Sequence, residues 1–349
     1  MGEYYIKKLA TQELGFRNGV PGGGGRYVYV SKKCADFFPH LSVTQLNDTV
    51  LIPVIPPFAK TKVYTSFVYH NDKHILQDGS RDEYRLYLNK AIDPERNFYQ
   101  PGDIIVFQKT EREEKGEMIP NYFLYRFEPD NTNFHILDEL IEASGIKGGH
   151  ALVDAAFDFL PEVPTDIETV QVIIPEEVKK EAAQKQQQII SEEEKLEAEK
   201  TTAVSTTEEL EQTRGANLFN SVSFRDFVLL GYGYKCAITE KAIVWNQLNN
   251  LEAAHIKPKA HTGSFLPCNG IALSRDMHWA FDKGFITVTD DYKVVVHEEV
   301  KGTMLKEYDG KPLIVPTDPF FKPDKNYLKH HRENIFGLFR HSGVIRIIP

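Results

Sequence analysis

His255, Asn269 and His278 stand 14 and 9 residues apart within the stretch Tyr234–Asp290, and each sits in a segment with its own structural signature. His255 closes the short apolar run Leu-Glu-Ala-Ala-His-Ile, which reads as a strand stopped by Pro258. Asn269 opens Asn-Gly-Ile-Ala-Leu, and His278 lies in Ser274–Lys283, which reads as a short helix. Ser274 can cap that helix, Asp276 lies in its first turn and Gly284 can end it. A strand pair, a loop and a helix would then present His, Asn and His together. His278 and Asp282, at i and i+4, share one helix face.

These residues resemble the HNH nuclease family, whose core is a ββα-metal fold. The resemblance covers the 57 residues Tyr234–Asp290 closely and both flanks more loosely. Upstream, Arg214, Gly215, Phe219, Phe224, Tyr234 and Cys236 fit the lead-in of HNH domains in restriction enzymes. Downstream, Tyr327, Leu328 and His331 to Phe336 fit the tail of the same group. The resemblance implies phosphodiester hydrolysis, which needs a base to deprotonate water and a cation to offset charge on the phosphate and leaving oxygen. It assigns the base to His255, a divalent metal to His278 and Asp282, and the pinning of the base-bearing loop to Asn269. An imidazole with an ordinary pKa near 6.5 is mostly neutral at pH 7 and suits the base. Mg²⁺ is the expected ion, with Mn²⁺ the alternative. Many HNH sequences place Asp or His immediately before the base, whereas here that position is Ala254. Glu252 should share the strand face of Ala254 and is a secondary candidate ligand.

The chain has 349 residues, which suggests two or three domains. Its net charge is −9, yet much of the acid lies in Glu176–Glu211, so a local basic surface for nucleic acid remains open. The sequence contains no run of 18 apolar residues, so no transmembrane helix is indicated, and the N-terminus lacks the apolar stretch of a signal peptide. Three cysteines are too few for a disulfide scaffold and suggest a reducing compartment, so a cytoplasmic location is expected.

Residues 1–165 are rich in strand-like runs: 26–31, 49–54, 63–70, 83–89, 103–108 and 122–127, with short helices expected over 32–38 and 136–143. Gly22 to Pro39 reads as loop, strand and short helix, and Gln100 to Phe107 as a turn delivering a strand. Together they resemble the B3-like pseudobarrel of plant transcription factors and of EcoRII-type N-terminal domains. That resemblance implies a domain that grips the major groove of double-stranded DNA. Candidate base or phosphate contacts are Arg17, Asn18, Arg26 and Lys62, with Lys60, Arg81 and Arg85 further options. In the second domain Lys257, Lys259 and Arg275 could meet phosphates, and Lys329, His330, His331 and Arg332 form a basic helix face best read as solvated.

Residues 166–212 read as a Pro-spaced connector and a charged, solvated helical linker with no sustained heptad. Residues 213–349 then form the nuclease domain. The expected fold is multidomain α+β: a β-rich pseudobarrel, a charged helical linker and a C-terminal ββα-metal domain. The expected function is metal-dependent, site-specific cleavage of DNA in the manner of a type II restriction enzyme. One HNH site cuts one strand, so a double-strand break calls for a homodimer or two binding events. Two alternatives stand beside it. One is a modification-dependent nuclease with an aromatic cage, for which Phe16, Tyr27 and Tyr29 are candidates. The other is a DNA-binding regulator on an inactive nuclease scaffold.

Overall fold

The structure is a computed structural model that describes all residues except 1, 18–19, 22–24, 77–78, 80–81, 115–116, 164–170, 201–217, 246–247 and 341–349. It divides into two compact units, Met1–Leu218 and Phe219–Pro349. The architecture is mixed α+β, with a curled β half-barrel first and the His255-bearing unit second. Among the described residues no helix is long and apolar enough to cross a membrane.

The half-barrel follows the strand order β10-β1-β8-β9-β5-β6-β7-β4. Its strands are β1 (Gly2–Lys8), β4 (Tyr27–Val30), β5 (Thr49–Ile55), β6 (Thr61–His70), β7 (Glu83–Tyr87), β8 (Ile104–Glu114), β9 (Glu117–Phe127) and β10 (His150–Ala155). Two-residue strands β2 (Phe16–Arg17) and β3 (Val20–Pro21) make a separate hairpin. Pleating sends Tyr5, Phe107, Leu124, Phe67 and Leu86 to the inner core, where Phe37 and Phe38 also pack. The other face of β1 and β8 sends Tyr4, Ile6, Ile104 and Val106 against Leu137 and Ile141 of helix α2 (Phe134–Ser144). Strand β1 is therefore buried on both faces and shows no apolar–polar alternation, which hid it from a periodicity reading.

The buried charges of Arg26 and Lys7 are paired. Arg26 donates through Nε to Asp93, through Nη1 to the Leu14 carbonyl at 2.8 Å and through Nη2 to the Tyr99 carbonyl at 2.6 Å. Lys7 Nζ lies 2.8 Å from Glu13 Oε2, both side chains being buried. Desolvation lowers the Lys7 pKa and raises that of Glu13, each against the pull of the other charge. One-turn helix α1 (Asp72–Ile75) follows β6.

The connector does not stay solvated. Strand β11 (Gln171–Ile173) pairs in parallel with Thr61–Val63 of β6 and leads into helix α3 (Glu176–Lys200). Val178, Ala182, Gln186 and Ile189 of α3 are buried, one residue per turn. So narrow a stripe, with a glutamine in it, makes no heptad, and only the neighbouring β6 reveals it.

The second unit opens with helix α4 (Ser221–Gly231). A two-residue hairpin, β12 (Val244–Trp245) and β13 (Leu248–Asn249), precedes the pair β14 (Leu251–His255) and β15 (Gly270–Ser274). Helix α5 (Arg275–Asp282), the hairpin β16 (Ile286–Val288) with β17 (Val294–Val296), and helix α6 (Lys325–Asn334) complete it. Cys34, Cys236 and Cys268 are buried free thiols.

Candidate active site

Strands β14 and β15 pair antiparallel, from Leu251 opposite Ser274 to His255 opposite Gly270. The intervening loop is fastened by Asn269, which is fully buried. Its Oδ1 accepts from the Lys257 amide at 2.8 Å, and its Nδ2 donates to the carbonyls of Lys257 at 3.1 Å and Ser264 at 2.9 Å. Its own carbonyl accepts from the Ile256 amide at 2.8 Å. The loop that leaves His255 is thus closed through one amide side chain.

Helix α5 follows β15 without a linker. Ser274 occupies the N-cap position with extended φ/ψ, but its hydroxyl donates to Cys236 Sγ at 3.7 Å instead of accepting from a helix amide. At the other end Gly284 takes a left-handed φ of 72°. The Gly284 and Phe285 amides donate to the carbonyls of Phe281 and Ala280, closing the helix as a Schellman motif. Met277, Ala280 and Phe281 face the core, which leaves His278 beside β14.

His278 lies between two carboxylates. Its Nδ1 is 2.6 Å from Glu252 Oε2 and its Nε2 is 3.3 Å from Asp282 Oδ2. Burial works to lower the His278 pKa, but the hydrogen bonds and charges of Asp282 and Glu252 prevail and raise it. Arg275 Nε stands 3.7 Å from Glu252 Oε1 with its side chain largely exposed. Imidazole nitrogens point in nearly opposite directions, so a cation on Nε2 leaves Nδ1–H to Glu252. That is the usual carboxylate–histidine–metal arrangement. The donor set, one imidazole and one carboxylate on a helix face, fits a divalent cation. Among the described residues no group of three or more His, Cys, Asp or Glu surrounds a common point, so water or substrate oxygens would complete the shell. Glu252, the secondary candidate ligand on the strand face of Ala254, lies against Nδ1 of His278.

His255 is half-buried at the end of β14, stacked on Phe224 with ring centroids 4.1 Å apart and met edge-on by Phe265 at 5.4 Å. The signal for Glu252 was a lone acid on an apolar strand; nothing in the spacing announced the rings beside His255.

The basic candidates separate. Arg275 and Lys259 are exposed, Lys259 with its ammonium 4.4 Å from the Phe265 centroid. Lys257 is buried in the loop, and Lys62 is buried on β6. Arg26 is committed to Asp93 and two carbonyls, which leaves no fork for a base edge. Lys62, expected in a polar loop, lies within strand β6, and the Arg26 partners Asp93 and Tyr99 lie far away in sequence. Arg17 begins a hairpin with its side chain outside what is described, and Asn18, Arg81 and the glycines 22–24 lie outside the described residues. Lys60 is exposed, and Arg85 lies over Tyr27, 4.1 Å from the ring centroid. Phe16 packs on the inner core and Tyr29 faces His150, so with Tyr27 under Arg85 the three rings have separate neighbours.

His331 leaves the expected basic face and turns inward. It stacks on Phe281 at 3.7 Å and 12°, with Nδ1 2.9 Å from Thr287 Oγ1 and Nε2 3.2 Å from the Phe281 carbonyl. Burial pushes its pKa down to about 3. Arg332 bonds Asp290 at 2.6 Å and the Val288 carbonyl at 2.9 Å.

The HNH_2 family, described as HNH endonuclease, matches residues 236–289. Among solved structures, the modification-dependent TagI restriction endonuclease is similar at 25% identity and a TM-score of 0.28. That match covers 33% of this chain and 38% of TagI, well under two thirds of its length. No curated protein matches the chain. Residues 236–289 are an HNH endonuclease domain.

Proposed function

We propose that this protein is a metal-dependent, site-specific DNA endonuclease of the restriction type. The observation that carries the reading is His278 on α5, held between Glu252 of the His255-bearing strand and Asp282 one turn along its own helix. His255 accepts the proton of the attacking water. Asn269 keeps the loop after His255 closed, so the imidazole is presented from a fixed strand end. Nε2 of His278 and the Asp282 carboxylate would hold a divalent cation, Mg²⁺ or Mn²⁺, while Glu252 would accept Nδ1–H and fix the tautomer. When bound, the cation offsets negative charge on the phosphate and the departing oxygen. Exposed Arg275 and Lys259 meet phosphates beside the site. The half-barrel unit, similar in its sequence to B3-like domains, selects the DNA site, and a dimer or two binding events complete a double-strand break.

The test is plasmid cleavage by the full chain and by His255→Ala, on methylated and unmethylated DNA, each with Mg²⁺, Mn²⁺ or chelator. Discrete metal-dependent fragments from the wild type alone are expected. Cleavage restricted to methylated plasmid would move the reading to a modification-dependent enzyme. Tight DNA binding without cleavage under every condition would replace it with a regulator.

A further inference from the structure

We infer that Phe224 and Phe265 form an aromatic clamp that sets the pose of the His255 ring, and that both are positioning residues for proton abstraction from water. The inference rests on the reading of His255 as the base.

The Phe224 ring lies parallel to His255, at 4.1 Å and 19°, while Phe265 meets His255 at 63° and Phe224 at 62°. The three rings therefore touch pairwise, one on the face of the imidazole and one against it edge-on. The ammonium of Lys259 covers Phe265, so this cation sits one layer removed from His255.

Two features of the chain place Phe224 there. The first is the start of α4. Asn220 Oδ1 accepts from the amides of Val222 at 3.1 Å and Ser223 at 3.0 Å, and Ser223 Oγ accepts from the Asn220 amide at 2.9 Å. This capping box fixes where the first turn begins, and Phe224 follows it directly. The second is Gly270, the cross-strand partner of His255. A Cβ at 270 would stand 2.2 Å from Val228 Cγ2 and 2.9 Å from Phe224 Cε2. Only glycine lets α4 settle onto the strand pair at the point where His255 emerges.

The clamp matters because the terminal torsion of histidine is broad and loosely held. An unrestrained ring spends little of its time with a nitrogen aimed at one water. Contact on its face and edge confines the ring to one plane before substrate arrives. When the proton moves from water oxygen to imidazole nitrogen, the electron pair stays on oxygen as nucleophile and the ring becomes cationic. A phenyl face favours that cation over the neutral ring, a preference realised along the reaction and absent from the ground state.

The experiment uses the full chain with Phe224→Leu, Phe265→Leu and Phe265→Tyr. Misplacement of about 1 Å can cost about 100-fold in rate. Phe224→Leu should lower kcat on cleavable DNA by about 10- to 100-fold with KM within about twofold, the signature of an interaction made in the transition state. Phe265→Leu should lower kcat in the same way, and Phe265→Tyr, which keeps the ring, should restore it. Half-buried Phe265 carries the test if Phe224→Leu fails to fold.

A second readout needs no activity. The ring-proton resonances of His255, identified by their loss in His255→Ala, should be shifted upfield by the stacked Phe224 ring and move downfield in Phe224→Leu, and should also change position in Phe265→Leu. Resonances that do not move, or a kcat indifferent to loss of either ring, overturn the inference. Resonances that move in a wild-type protein that cuts no DNA leave the clamp as packing, remove its role in a base step and sink the nuclease reading separately.

Discussion

Nδ1 of His278 lies 2.6 Å from Oε2 of Glu252, a contact that joins helix α5 to strand β14 across 26 positions of sequence. It leaves Nε2 directed toward Asp282, and in the proposed site Glu252 would orient His278. Losing such a second contact typically costs 10- to 100-fold in metal affinity or activity. Glu252→Gln should therefore weaken Mn²⁺ binding by about 10- to 100-fold in a calorimetric titration. Unchanged affinity would show that Glu252 does not support His278.

The same pair sets a pH dependence. Asp282 and Glu252 raise the His278 pKa above its ordinary value, and a cation must displace that proton. Apparent metal affinity should therefore fall by about tenfold per pH unit below the raised pKa, one proton being released per ion. In metal-free protein the sign is the reverse. The raised pKa contributes stability that is fully present below about pH 6.5 and is lost as pH rises through the folded value. Metal titrations and thermal unfolding across pH 5–9 check both signs, and a metal affinity flat with pH would count against His278 as a ligand.

Asn269 makes three side-chain hydrogen bonds inside the loop between His255 and β15. Each buried polar group left unmade costs about 1–3 kcal/mol. Asn269→Ala should destabilise the nuclease unit by several times that smaller figure and abolish cleavage. Asn269→Asp keeps the acceptor for the Lys257 amide but sets a carboxylate oxygen against two carbonyls, and should be no better. Denaturant unfolding and cleavage assays read both variants, and wild-type cleavage by Asn269→Ala would remove the loop-pinning role.

Arg26 and Asp93 form a buried ion pair in the half-barrel, at 3% and 0% side-chain exposure. Breaking such a pair from one side leaves an uncompensated charge and costs about 3–5 kcal/mol. Arg26→Ala should lower the melting temperature of the half-barrel, and Arg26→Leu combined with Asp93→Leu should recover much of the loss. A variant that melts like the wild type but binds DNA poorly would return Arg26 to the recognition surface.

Acid should unfold both units through buried histidines. Burial pushes His331 and His150 down to about 3, so each stays neutral when folded and protonates near 6.5 when unfolded. Between those values the unfolded chain binds more protons, so stability falls as pH drops from about 6.5 by about 1.4 kcal/mol per unit per histidine. His331→Gln should flatten that slope in the nuclease unit and His150→Gln in the half-barrel, as read from urea midpoints at successive pH values. Slopes unchanged by the substitutions would assign acid sensitivity elsewhere.

The loop-pinning role of Asn269 came from the family resemblance, while the sequence by itself determined the strand ending in His255 and the helix presenting His278 and Asp282. Each of these rests on short-range chemistry: an apolar run stopped by proline, a helix ended at Gly284, and an i, i+4 pair on one helix face. Most strands of the half-barrel were legible for the same reason, except β10 and β1, the latter because its two buried faces erase the period of two. Tertiary structure alone decided where the remaining partners fall. Glu252 reaches His278, Phe224 reaches His255 over Gly270, Arg26 and His331 turn inward, and α3 lies along β6. Those pairings depend on which distant segment arrives opposite a side chain, and desolvation with a partner at hand, not residue type, decides whether a charge stays at the surface.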